Sequence, residues 1–120
     1  MNAPVNFEIA KLLKEKGCNM NTIFVYKTEN NTTSVLIPSG LNAMGGFFST
    51  YPAPTIAEVV MWLYEKHGIW INSEPRNKTQ WKYNIYTKQT ASVKNIMLAE
   101  HNSPTEAYSA AILYTLNNLI

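Results

Sequence analysis

The chain has 120 residues, enough for one domain, with 46% hydrophobic and 15% charged side chains and a formal net charge of +2, a balance that belongs to a chain with a packed core and not to a disordered one. Its ionisable set is narrow: aspartate is absent, arginine and cysteine occur once each as Arg76 and Cys18, and the histidines are His67 and His101. These counts exclude an intrachain disulfide, the common structural zinc sites, aspartic dyads and EF-hand loops, and no apolar run reaches the ~18 residues that would span a membrane.

The first residues, Met1-Asn2-Ala3-Pro4-Val5, lack the basic, then apolar, then small-residue order of a signal peptide, which leads us to expect a cytoplasmic protein. Residues 6–16 read as a helix. Asn6 is placed to cap it, Glu8 lies in its first turn, Lys14 and Lys16 lie in its last, and Ile9, Leu12 and Leu13 form the apolar stripe. Val5 is placed to staple the entry and Gly17 to stop the helix. Cys18 follows this helix end, where the dipole raises a thiol pKa, so we expect a small buried hydrophobe there and not a nucleophile.

Residues 22–37 predict a β-hairpin. Ile23-Phe24-Val25-Tyr26 and Val35-Leu36-Ile37 supply the strands, residues 28–33 are turn material, and Pro38 ends it. Residues 38–54 hold Pro38, Gly40, Gly45-Gly46, Pro52 and Pro54 and read as a long loop. It is an apolar one, with Leu41, Met44, Phe47, Phe48 and Tyr51, which we expect to pack along the core edge or to touch a partner.

Residues 55–67 form the clearest helix. Thr55-Ile56-Ala57-Glu58 is a capping box, Ile56, Val59, Val60, Leu63 and His67 fall on one face, and Gly68 closes the helix with Ile69 in a Schellman arrangement. Strands follow over residues 69–98. Ile69–Glu74 and Gln80–Thr87 flank a turn at residues 75–78, with Trp81, Tyr83 and Ile85 alternating onto one face, and a weaker strand covers residues 93–98. The last helix spans residues 103–119, opens on a second capping box, Ser103-Pro104-Thr105-Glu106, and carries Ile112, Leu113, Leu116 and Leu119 toward the core.

The elements predict an α+β fold over a single domain, 1–120: a small antiparallel sheet from two hairpins packed against two capped helices, with the N-terminal helix beside it. From Thr55 onward the order is α-β-β-β-α, the order found in double-stranded-RNA-binding domains. Such domains grip phosphate with lysines at the start of the final helix, and here no lysine occurs from Asn95 to the C-terminus. Nucleic-acid binding, with bases stacked on Trp70, Trp81, Tyr83 and Tyr86 and phosphates met by Arg76, Lys78, Lys82 and Lys88, therefore stands as the alternative reading. An enzyme would need Glu58, Glu100, His67 or His101 gathered in one pocket. His67 reads instead as a surface residue at a helix C-terminus, and Glu100-His101 lacks a nucleophile.

Three segments carry a family resemblance: Ala10-Lys11-Leu12-Leu13-Lys14-Glu15-Lys16-Gly17, Ala53-Pro54-Thr55 leading into Trp62-Leu63, and an Ala-rich final helix ending Asn117-Asn118-Leu119-Ile120. Together they resemble small uncharacterised proteins from phages and prophages of gut Bacteroidales, along most of the chain. The resemblance implies an accessory protein of a phage or mobile element, cytoplasmic in its host, and supplies no functional residues.

We expect a non-enzymatic protein that binds another protein or itself, with no catalytic residues, no metal site, no cofactor and no membrane partner. Its candidate binding residues are Trp62, Tyr64, Trp70 and Tyr86. Trp62 and Tyr64 fall off the apolar stripe of their helix, and Trp70 and Tyr86 fall opposite Ile71 and Ile85 on their strands; interfaces favour tryptophan and tyrosine. The competing expectation for the same four is packing against the long loop or the first helix.

Overall fold

Local signals set the boundaries of the first helix, α1 (Phe7–Glu15), in a computed structural model that describes residues 2–29, 33–40, 49–87, 90–94 and 101–120. The Asn6 side chain accepts a hydrogen bond from the Ile9 N–H at 2.9 Å, satisfying one orphan donor of the first turn. At the other end Gly17 adopts φ +82°, the Gly17 N–H reaches the Lys14 carbonyl and the Cys18 N–H reaches the Leu13 carbonyl at 3.0 Å. That is a full Schellman closure, with Leu13 and Cys18 both buried beside it. Ile9, Ala10 and Leu13 are the buried face of α1; Leu12 is only half-buried.

The chain divides into two compact units, Asn2–Thr55 and Ile56–Ile120. In the N-terminal unit, strands β1 (Phe24–Glu29), β2 (Thr33–Pro38) and β3 (Ser49–Ala53) form an antiparallel sheet in the order β2-β1-β3. The β1–β2 hairpin is the one expected; its turn at residues 30–32 lies outside the described residues. Residues 38–54, expected as a loop, contain β3, which pairs with β1 from Phe24–Ala53 to Thr28–Ser49. Pro52 is the residue that argues against a strand in this segment. A proline is compatible with an edge strand when its missing N–H faces away from the neighbour, and β3 is an edge strand. The remainder of that expected loop, residues 41–48 with Leu41, Met44, Phe47 and Phe48, lies outside the described residues.

Phe7 joins α1 to this sheet, its ring edge-on to Tyr26 at 5.6 Å and to Tyr51 at 5.3 Å. The Tyr26 hydroxyl donates to the Val5 carbonyl at 2.7 Å, and the Val5 N–H donates to the Pro54 carbonyl at 2.9 Å. Val5, Ile9, Ala10, Leu13, Cys18, Val25 and Ala53 are buried.

The C-terminal unit has the order α2 (Ile56–His67), β4 (Ile69–Pro75), β5 (Trp81–Thr87), β6 (Thr90–Lys94) and α3 (Pro104–Asn118). Its three strands pair antiparallel in the order β4-β5-β6, so the two expected hairpins lie in two sheets and the fold is α+β, as the sequence predicts. Gly68, at φ +67°, closes α2 through its N–H to the Tyr64 carbonyl at 3.0 Å. This is a single left-handed closure and not the expected Schellman pair, because Ile69 already belongs to β4, opposite Thr87. At α3 the Ser103 hydroxyl accepts from the Glu106 N–H at 3.1 Å and the Glu106 carboxylate accepts from the Asn102 N–H at 2.9 Å, so the box returns one residue earlier than expected.

Helix α3 packs on β4 and β5, and α2 packs on β4 and α3. Ile56, Val59, Val60 and Leu63 from α2, Ile69, Ile71, Tyr83 and Ile85 from the sheet, and Ala107, Ala111, Ile112 and Leu116 from α3 are buried. Leu113 and Leu119 are half-buried. Residues 95–98, expected to continue the last strand, lie outside the described residues, as does Lys88.

Candidate functional site: an exposed aromatic face

The pleat sorts the β4–β5 hairpin into two faces. Ile69, Ile71, Tyr83 and Ile85 turn toward the core, while the cross-strand pairs Trp70–Tyr86, Asn72–Asn84 and Glu74–Lys82 occupy the other face in sequence along the ladder. Each pair has its own chemistry. The Asn84 amide donates to the Asn72 side-chain oxygen at 3.0 Å, and the Lys82 ammonium meets the Glu74 carboxylate at 2.9 Å. The ammonium, with help from Asn84, holds the Glu74 carboxyl below the usual carboxylate range. Trp70 and Tyr86, directly opposite one another, remain 39% and 36% exposed.

Helix α2 adds to this face. The Tyr64 ring stands edge-on to Trp70 with centroids 5.6 Å apart and planes at 84°, and Tyr64 is itself 48% exposed. Met61, one helical turn earlier and on the same side, is also exposed. Helix geometry turns about 100° per residue, so Trp62 points to another side of α2 than Tyr64. Its ring lies against His67, with centroids 4.9 Å apart. Three of the four expected binding residues, Tyr64, Trp70 and Tyr86, therefore come together, and Trp62 stands apart from them. Met61 is not among the residues expected from the sequence, although its spacing of three from Tyr64 places the two on one side of the helix.

The residues considered for acid–base work are placed separately. Glu58 and His67 are exposed on α2, so His67 does not share the buried stripe. His101 exchanges backbone hydrogen bonds with Trp81 and lies 5.9 Å from the Tyr83 ring, with its Nε2 buried and unpartnered among the described residues; Glu100 lies outside them. Burial, and then the nearby Tyr114 phenol, push the Tyr83 hydroxyl up. Among the described residues no three His, Cys, Asp or Glu side chains group as metal ligands. Burial also pushes the Cys18 thiol up, against a smaller opposing hydrogen bond from the Met20 backbone. The direction is the expected one, with desolvation by burial as its largest cause. Among the described residues no helix is long and apolar enough to cross a membrane. No family model matches the chain, and neither a curated protein nor a solved structure matches it.

Proposed function

We propose that this protein is a non-enzymatic binding module that recognises another protein through the face built by Tyr64, Trp70 and Tyr86, with Met61 at its margin. The observation that carries the reading is the contiguity of these side chains: large, exposed and apolar, drawn from a helix and both strands of a hairpin. Rigid aromatics with a polar tip contribute much of the binding energy at protein interfaces while losing little conformational freedom. Further along the same ladder the partly exposed Glu74–Lys82 pair supplies a polar border of the kind such interfaces have. Nucleic-acid binding is the weaker reading, because among the described residues of the ladder the lysine on this face, Lys82, is already paired with Glu74. The resemblance to phage and prophage proteins supports a role as a cytoplasmic accessory protein of a mobile element.

The test is affinity capture from a bacterial host lysate with the wild-type chain and with a Trp70→Ala/Tyr86→Ala variant, each with and without nuclease. We expect a partner that the wild type retains, that nuclease does not release and that the variant loses while keeping its far-ultraviolet spectrum. Retention by the variant, or loss on nuclease treatment, refutes the reading.

A further inference from the structure

The two edges of the N-terminal sheet are unequally protected. The Ser39 N–H donates to the Ile23 carbonyl at 2.9 Å, which fixes the phase of the β1–β2 ladder. Hydrogen-bonded pairs then recur every second residue, at Val25–Ile37 and Lys27–Val35. The backbone groups of Ser34, Leu36 and Pro38 therefore point away from β1, to the outer edge of β2. By the same alternation Phe24, Tyr26 and Thr28 turn their backbone toward β3, and Thr50 and Pro52 face the outer edge of β3. That second edge is blocked. Pro52 has no N–H to offer, and the Lys14 ammonium of α1, lying over the Tyr51 ring, donates to the Thr50 carbonyl at 2.8 Å.

Among the described residues the β2 edge has no such device. The strand Thr33-Ser34-Val35-Leu36-Ile37-Pro38 carries no charge. Val35 and Leu36, on opposite faces, are 56% and 38% exposed, and among the described residues nothing pairs with its outer edge. An open, apolar, uncharged edge is a template for another strand.

We propose that the strand it takes is β2 of a second copy, antiparallel and related by a two-fold axis at Leu36. The occupant follows from the order of donors and acceptors. With Leu36 opposite the partner's Leu36, each Leu36 N–H donates to the carbonyl of the other. Each Ser34 N–H then meets the partner's Pro38 carbonyl, so the prolines, which cannot donate, stand where only an acceptor is needed. Every outward N–H of Ser34 and Leu36 is satisfied. Val35 lies across from the partner's Ile37 in the closer, non-hydrogen-bonded spacing, where β-branched pairs pack well. Since the strand has no charge, self-pairing brings no like charges together, and the two-fold makes one patch serve both copies. The two sheets become one of six strands, with the two β2 strands at its centre. The aromatic face of the other unit takes no part in this pairing, so the two proposals fail independently.

Sedimentation of the full chain across a dilution series tests the proposal, together with amide exchange at Ser34 and Leu36. The expected result is a mass twice that of the 13.6 kDa chain, dissociating on dilution, with those two amides protected only in the heavier species. Leu36→Lys and Leu36→Glu each place like charges opposite one another and should halve the mass, and an equimolar mixture of the two should restore it. The mixture separates loss of pairing from loss of folding. A monomer at every concentration overturns the proposal, as does a dimer that both variants leave intact. Trp70→Ala/Tyr86→Ala should leave the mass unchanged; a halved mass in that variant would also overturn the proposal, by moving the contact to the other face.

Discussion

Gly17 shows how much a single residue decides in this chain. At φ +82° it occupies the left-handed region, and a Cβ built on it meets nothing within 4 Å. Substitution by alanine is therefore opposed by backbone conformation alone and not by any clash. We expect Gly17→Ala to lower unfolding free energy by ~1 kcal/mol, read by urea denaturation with an unchanged slope. This position was legible in the sequence because glycine after an apolar, lysine-terminated run has few other uses. Asn6 and Ser103 were legible for the same reason: caps are local, and both accept the hydrogen bond their spacing predicts. His67 is exposed, as its place at a helix C-terminus predicts, although its spacing also matches the buried stripe; in the last turn of α2 its ring rests on Trp62. Met61 is a weaker sequence signal than the aromatics, because methionine is as common in cores as on binding faces.

At the scale of elements, the β4–β5 hairpin has one buried face and one face proposed for recognition. The Glu74–Lys82 pair belongs to this scale, since it ties the two strands. Its sign is set by the depressed Glu74 pKa. The carboxylate remains charged in the fold at a pH where the unfolded chain has begun to protonate. The small stabilisation is complete above the ordinary glutamate range of about 4.3 and is lost as pH falls through the lower folded value. Melting temperature followed from neutral to acid pH should show a shallower acid limb in Lys82→Met than in the wild type. An identical limb would mean that the pair contributes nothing, the common outcome for exposed pairs. Both hairpins were readable from alternation and turn residues. Strand β3 was not, because Pro52 argues against a strand until its neighbour is known: only the register with β1 reveals that its missing N–H faces outward. The distribution of the hairpins between two sheets is likewise a matter of long-range pairing, which no local pattern specifies.

For the molecule as a whole, stability and proposed recognition draw on different atoms. Ile71 is fully buried while its neighbour Trp70 is not. Ile71→Ala should cost ~2–5 kcal/mol, a large part of the ~5–15 kcal/mol that holds a domain folded. Trp70→Ala should cost about 1 kcal/mol, mostly its edge-on contact with Tyr64. Comparable losses in thermal denaturation of the two variants would place Trp70 in the core and withdraw it from the binding face. The N-terminal sheet has its own consequence at this scale. A sheet receptive along one margin and sealed along the other can be extended once and then offers no further place for a strand to add. Ribbon growth through this sheet needs both margins, so under the proposed pairing Lys14 and Pro52 would act as its terminators, and a strand that joins at β2 would leave a finite sheet.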